Sequence, residues 1–206
     1  MMQLQKKTIF DSSFLTFFLH YLARFILFVL GWKIEGGPPK SDKCVLIAAP
    51  HTSNWDYFFT LLMAFSLKMK IVAMGKKELC EGRLGKIIMW LGIVAIDRSK
   101  SNNTVGCAVN VFNEREKMIM VIPPSGTRGR VKKWKSGFYY IALGAGVPIS
   151  LGYLDYSRKI GGTGELFIPT GNYEADMFEI KSHYKNYQGK YPDLTLHYLS
   201  VEAPAY

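Results

Sequence analysis

From residue 44 onward the sequence alternates short apolar runs with stretches of helical periodicity, and this alternation limits what the chain can fold into. The runs 44–49 (CVLIAA), 69–74 (MKIVAM), 92–97 (GIVAID), 118–123 (MIMVIP), 147–156 (VPISLGYLDY) and 164–169 (GELFIP) predict strands. Between them 56–66, 84–90, 102–114, 137–144 and 174–187 predict helices. Elements in that order build an α/β layer fold, a mixed, mostly parallel sheet flanked by helices. In such sheets the working residues stand on loops beyond the carboxyl ends of the strands. Gly161, Gly162 and Gly164 fall between two predicted strands with no helix after them, which predicts a turn. No internal repeat and no second composition regime interrupts the 206 residues, so one body accounts for 42–206 and leaves 1–41 as an apolar helix and hinge.

The segment from Phe14 to Leu30, FLTFFLHYLARFILFVL, has no acidic residue, and His20 and Arg24 are its strongly polar side chains. A helix of that length reaches about 26 Å, short of the ~30 Å hydrocarbon core, so a clean span is not expected. Ser13, Thr16, His20 and Arg24 recur every three or four residues and gather into one polar stripe, while Phe14, Phe17, Phe18, Leu22, Phe25 and Val29 fill the rest. That pattern predicts a membrane-associating helix lying in the interface or dipping into one leaflet, with Trp32 and Lys33 at its edge, against the alternative of an ordinary core helix. Lys6 and Lys7 before an apolar run also fit a signal peptide. Arg24 interrupts the run, however, and GWKIEGGPPK follows it where a small-residue cleavage site would stand. Gly36, Gly37, Pro38 and Pro39 predict a hinge into the body.

Charge and composition narrow the function. Lys and Arg number 26 against 16 Asp and Glu, a net charge of +10, which calls for an anionic partner: a phosphorylated ligand, an acidic membrane surface or nucleic acid. A chain that is 49% hydrophobic and 20% charged is not disordered. The three cysteines, Cys44, Cys80 and Cys107, have no paired spacing and predict a reducing compartment, here the cytoplasmic face of a membrane. CxxC, HExxH, GxGxxG, GxxxxGK[ST] and GxSxG are all missing, so no metal or cofactor is expected and no dinucleotide, P-loop or serine-elbow chemistry.

Two loops carry residues of chemical interest. The first predicted strand runs into Pro50-His51-Thr52-Ser53-Asn54-Trp55-Asp56. On a regular helix His51 and Asp56 would point about 140° apart. With Pro50 bending the chain and His51 on the loop, Thr52 or Ser53 can cap the helix and Asp56 falls in its first turn, within reach of the imidazole. A carboxylate there fixes the tautomer and stabilises the imidazolium formed when the ring takes a proton. The fourth strand runs into Pro123-Pro124-Ser125-Gly126-Thr127-Arg128-Gly129-Arg130, followed by Lys132, Lys133 and Lys135. Glycines admit backbone N–H groups close to a ligand, and Arg128 offers a fork suited to phosphate oxygens. Lys76 and Lys77 end the second strand and Arg98 ends the third, so three strand ends present cations where such sheets bind ligands.

These segments resemble the glycerolipid acyltransferases, the family of 1-acylglycerol-3-phosphate acyltransferases. HTSNWD matches that family's H-x4-D signature. GKKEL at 75–79 and GIVAIDR at 92–98 are similar to its second motif region, PSGTR at 124–128 to its P-E-G-T-R motif, and GVPI at 146–149 to its fourth, in the same order. Ser125 stands where the family carries an acidic residue, in the acceptor region of its site, and Leu151 replaces a second proline of the fourth motif. The resemblance implies transfer of a fatty acyl group from a CoA or acyl carrier protein thioester to the hydroxyl of a lysophospholipid-like acceptor. It implies His51 as general base oriented by Asp56, and Lys76, Arg98, Ser125, Gly126, Thr127 and Arg128 as the substrate-binding set. The implied partners are a lipid membrane surface, the acyl donor and the acceptor, with no nucleic acid. Three other readings use the same residues: a non-catalytic module that holds anionic lipid headgroups on its basic loops, a hydrolase in which His51 activates water, and a nucleic-acid binder drawn to the basic run after Arg128.

Overall fold

The structure is a computed structural model that describes residues 7–82, 84–96, 101–131 and 133–195, with backbone alone at 76, 79, 96 and 101–103. Its strands are β1 (Lys33–Glu35), β2 (Lys43–Ala49), β3 (Ile71–Lys76), β4 (Ile93–Ile96), β5 (Met118–Ile122), β6 (Ile149–Asp155) and β7 (Ile160–Phe167). Its α-helices are α1 (Ser13–Val29), α2 (Trp55–Ser66), α3 (Lys77–Cys80), α4 (Gly85–Trp90), α5 (Ser101–Asn113), α6 (Gly137–Ala145), α7 (Tyr173–His183) and α8 (Pro192–Thr195). The strands form one seven-stranded sheet in the order β1-β7-β6-β2-β5-β3-β4. Every neighbouring pair is parallel except β6 and β7. β2 lies between β5 and β6, and helices cover both of its faces, which is why KCVLIAA reads as a continuous apolar run rather than an alternating one.

Side-chain alternation along the strands divides the interior into two layers. Val45, Ile47 and Ala49 point with Met118, Met120, Ile149 and Leu151 toward α5, α6 and α7, where Phe112, Phe138, Tyr139, Ile180 and Tyr184 complete one core. Leu46, Ile71, Ala73, Val121 and Leu154 point toward α2, where Phe59, Leu62, Met63 and Phe65 complete the other, joined by Ala23, Leu27 and Trp32 from α1 and its exit.

The glycine cluster departs from the expected turn. Gly161 and Gly162 lie inside β7, which begins at Ile160 and ends at Phe167. A Cβ on Gly162 would stand 1.9 Å from the Glu35 carbonyl oxygen of β1, and one on Gly161 would stand 2.7 Å from the Met63 side chain of α2. These glycines let a neighbouring strand and a helix press onto β7; they do not end it.

α1 forms where the apolar run predicts it, with the Ser12 hydroxyl accepting from the Leu15 N–H at its start. Its inward side buries Ala23 and Leu27 and sets His20 Nδ1 3.2 Å from the Phe65 carbonyl of α2. Its outward side exposes Phe14 (79%), Phe17, Phe18, Tyr21, Phe25 and Phe28 (80%). No described helix is long and apolar enough to cross a membrane. Trp32 does not sit at the edge of this face: it is buried, stacked on Phe59 with ring centroids 4.2 Å apart. β1, immediately after it, pairs with β7 and holds the chain against the sheet there, turning the indole inward.

Candidate active site

β2 ends at Ala49, and a cis Ala49-Pro50 peptide leads into the loop that carries His51. α2 starts at Trp55, so Asp56 stands in its first turn and is 4% exposed. The carboxylate is fully engaged. Oδ2 faces His51 Nδ1 at 3.0 Å and accepts the N–H groups of Thr52 at 2.8 Å and Ser53 at 2.9 Å. Oδ1 accepts the hydroxyl of Tyr156 at 2.7 Å. The loop therefore folds back over the helix start because two of its own N–H groups need the acceptor that Asp56 supplies. An ionised carboxylate only accepts, so Nδ1 carries the hydrogen in this contact and the neutral ring keeps Nε2 as its basic atom.

His51 lines a cavity of about 820 Å³ between α2 and the sheet. The cavity follows α2 from Asp56 to Leu67, a rise of about 16 Å at 1.5 Å per residue. Its walls on the sheet are Leu46, Ala48, Ile71, Ala73, Val121 and Leu154; on the helix they are Tyr57, Thr60 and Met63. An elongated apolar chamber with a basic nitrogen and cations at one end suits a molecule with a polar head and a hydrocarbon tail.

The loop after β5 brings Gly126, Thr127, Arg128 and Lys135 to the same cavity as His51. Ser125 stands behind them, 2% exposed, with its hydroxyl donating to the Thr127 carbonyl at 2.6 Å. The Gly126 N–H closes the turn onto the Pro123 carbonyl at 3.0 Å, and the Lys135 N–H bonds the Pro124 carbonyl at 2.8 Å. Gly126 is left-handed (φ 64°), and the stem of Lys135 crosses it so closely that a Cβ would lie 2.9 Å from Cδ and Cε. Thus His51, Asp56, Gly126, Thr127 and Arg128 share one wall system. Lys76 ends β3 as expected, but its side chain and the whole of Arg98 lie outside the described residues.

Two groups at the site have no signal in the sequence. Tyr156, just past β6, bonds Asp56 from one hundred positions away. Thr52, beside His51, accepts the N–H of Tyr191 at 3.3 Å, and Lys190 sits 4.9 Å over the ring of Trp55, so the segment after α7 braces the loop. Neither partner has a motif or a spacing that marks it.

Residues 34–150, more than half of the chain, match the family model of the acyltransferases. The chain belongs to that family. The 1-acyl-sn-glycerol-3-phosphate acyltransferase of Salmonella typhimurium is 33% identical over 131 residues, 59% of this chain and 52% of that protein. The protein of the same name from Limnanthes alba is 28% identical over 138 residues, 63% of this chain and 48% of that one. This acyltransferase-family chain thus spans about half the length of the curated relatives it matches. The crystal structure of the 1-acyl-sn-glycerophosphate acyltransferase PlsC from Thermotoga maritima shares the fold, with a TM-score of 0.56, 15% identity, and coverage of 86% of this chain and 83% of that one. Tyr156 and the bracing segment at 188–195 lie beyond the stretch that the acyltransferase family model matches.

Proposed function

We propose that the chain transfers a fatty acyl group from an acyl-CoA or acyl carrier protein thioester to the hydroxyl of a lysophospholipid-like acceptor at the cytoplasmic face of a membrane. The observation that carries this reading is the His51–Asp56 contact at 3.0 Å beside an apolar cavity whose polar end holds Arg128 and Lys135. The names of the relatives, 1-acyl-sn-glycerol-3-phosphate acyltransferases, agree with it.

In this reading the acceptor oxygen attacks the thioester carbonyl carbon while His51 Nε2 takes its proton. The tetrahedral intermediate collapses, the carbon–sulfur bond breaks, and the thiolate leaves with the proton returned by the imidazolium. Asp56 stabilises that imidazolium and, through Nδ1, keeps Nε2 basic. No protein nucleophile is required, because the thioester is already activated. General-base catalysis of this kind contributes roughly 10²- to 10⁴-fold. Arg128, Lys135, Lys76 and Arg98 hold the acceptor's anionic head, Gly126 and Thr127 shape the cradle around it, and Ser125 locks the cradle from behind. The apolar length of the cavity takes hydrocarbon. The exposed aromatic face of α1 seats the protein in the interface, where its substrates reside.

The test supplies labelled acyl thioester and a panel of lysolipids to detergent-solubilised protein. Esterified lipid, formed best with a phosphate-bearing acceptor, is the expected product. Free fatty acid alone would assign hydrolysis, and headgroup binding without product would reduce the protein to a lipid-binding module.

A further inference from the structure

Among the described residues, Tyr156 is the side-chain donor on Oδ1 of Asp56, at 2.7 Å, while His51 and two backbone N–H groups occupy Oδ2. Its ring is fixed on two sides: it meets Trp32 edge-on at 5.0 Å and Phe59 at 5.7 Å. Its own N–H donates to the Gln188 carbonyl at 2.9 Å. Burial, followed by the bond to Asp56, pushes the phenol well above its ordinary value, so it stays a protonated donor at every working pH.

From this geometry we infer that Tyr156 is a positioning residue for the proposed acyl transfer: it orients the Asp56 carboxylate and tempers its charge, and so sets how readily His51 takes a proton. The inference rests on the catalytic reading of His51. The physical reason is a competition for one charge. A hydroxyl bonded to a carboxylate takes up part of its negative charge, and the carboxylate then holds an imidazolium less strongly. Losing the hydroxyl strengthens the Asp56–imidazolium contact and frees the carboxylate to turn. Among the described residues, the other ionisable groups that line the cavity of the pair are Tyr57 from α2, Tyr153 from β6, and Arg128 and Lys135, and Tyr191 acts on Tyr156 from nearby. Tyr156→Phe leaves all of them in place, as well as the packing on Trp32 and Phe59.

The experiment compares wild type, Tyr156→Phe, Asp56→Asn and the double variant, using acyl-transfer kinetics across pH and ¹⁵N NMR of the His51 ring. Tyr156→Phe is expected to stay folded with a thermal midpoint lowered by a few degrees, to lose about tenfold in kcat with KM nearly unchanged, and to move the acid limb of kcat/KM to higher pH. The His51 ring titration should move in the same direction, and Tyr156→Phe should add no further movement when combined with Asp56→Asn. An unmoved ring titration and an unmoved acid limb overturn the role of Tyr156, as does an equal movement in the Asp56→Asn background. Should wild type transfer no acyl group while the ring titration still moves, the positioning by Tyr156 stands and the acyl-transfer reading falls.

Discussion

At Gly126 the backbone is left-handed, with φ 64°, and the stem of Lys135 passes 2.9 Å from where a Cβ would stand. Gly126→Ala is expected to cost about 1–2 kcal/mol in backbone strain. It should also push Lys135 aside, raising KM for a phosphate-bearing acceptor more than for a neutral one, as steady-state kinetics with both will read. The carbonyl that Ser125 bonds belongs to the same turn, so its hydroxyl holds the loop that carries Thr127 and Arg128 to the cavity. The His51–Asp56 contact is legible in the sequence because both partners lie within one turn of a loop-to-helix junction and Pro50 supplies the bend. Tyr156 is not legible. A tyrosine one hundred residues away becomes a partner only when β6 is placed beside β2, and composition does not encode that pairing.

Among the elements, α1 divides its work between two faces. Leu27 and Ala23 fill the core against α2, and Leu27→Ala should cost about 2–5 kcal/mol, seen as a lowered thermal or urea midpoint. Phe14, Phe18 and Phe28 contribute little to that core, so replacing all three with Ser should leave the midpoint in place. The same triple variant should weaken partition onto anionic vesicles by about a hundredfold or more, measured by co-sedimentation. Unchanged partition would assign the aromatic face to another partner. The division is partly legible, since the apolar run is unmistakable, but its polar stripe meets α2 at His20 and the exposed side is the aromatic one. β7 is the element whose sequence misleads. Its glycines have the composition of a turn, and only the pressing backbone of β1 and side chain of Met63 explain them.

For the molecule as a whole, a mostly parallel sheet and two helical layers follow from the alternation of apolar runs, while the edge order does not: β1 is three residues long and joins the sheet by pairing with β7. Stability in acid depends in part on two buried carboxylates, Asp155 and Asp176. Burial pushes the Asp155 carboxyl up, but hydrogen bonds from Ser157 and Arg158 outweigh it and hold the group below its ordinary value. Asp176 behaves likewise through Thr170 and Tyr139. A depressed carboxylate contributes its full stability above the unfolded value of about 3.9 and loses it as pH falls through the folded one. The thermal midpoint should therefore drop below about pH 4, and Asp155→Asn with Asp176→Asn should start lower at neutral pH and drop less on acidification. The central claim, that an imidazole at 51 deprotonates a lipid alcohol, is tested most directly by comparing initial rates of ester formation for wild type and His51→Ala at saturating thioester and lysophospholipid. A fall of about 10²- to 10⁴-fold, with the variant still folded and still bound to lipid, is the predicted result. Equal rates from the two proteins would contradict the account.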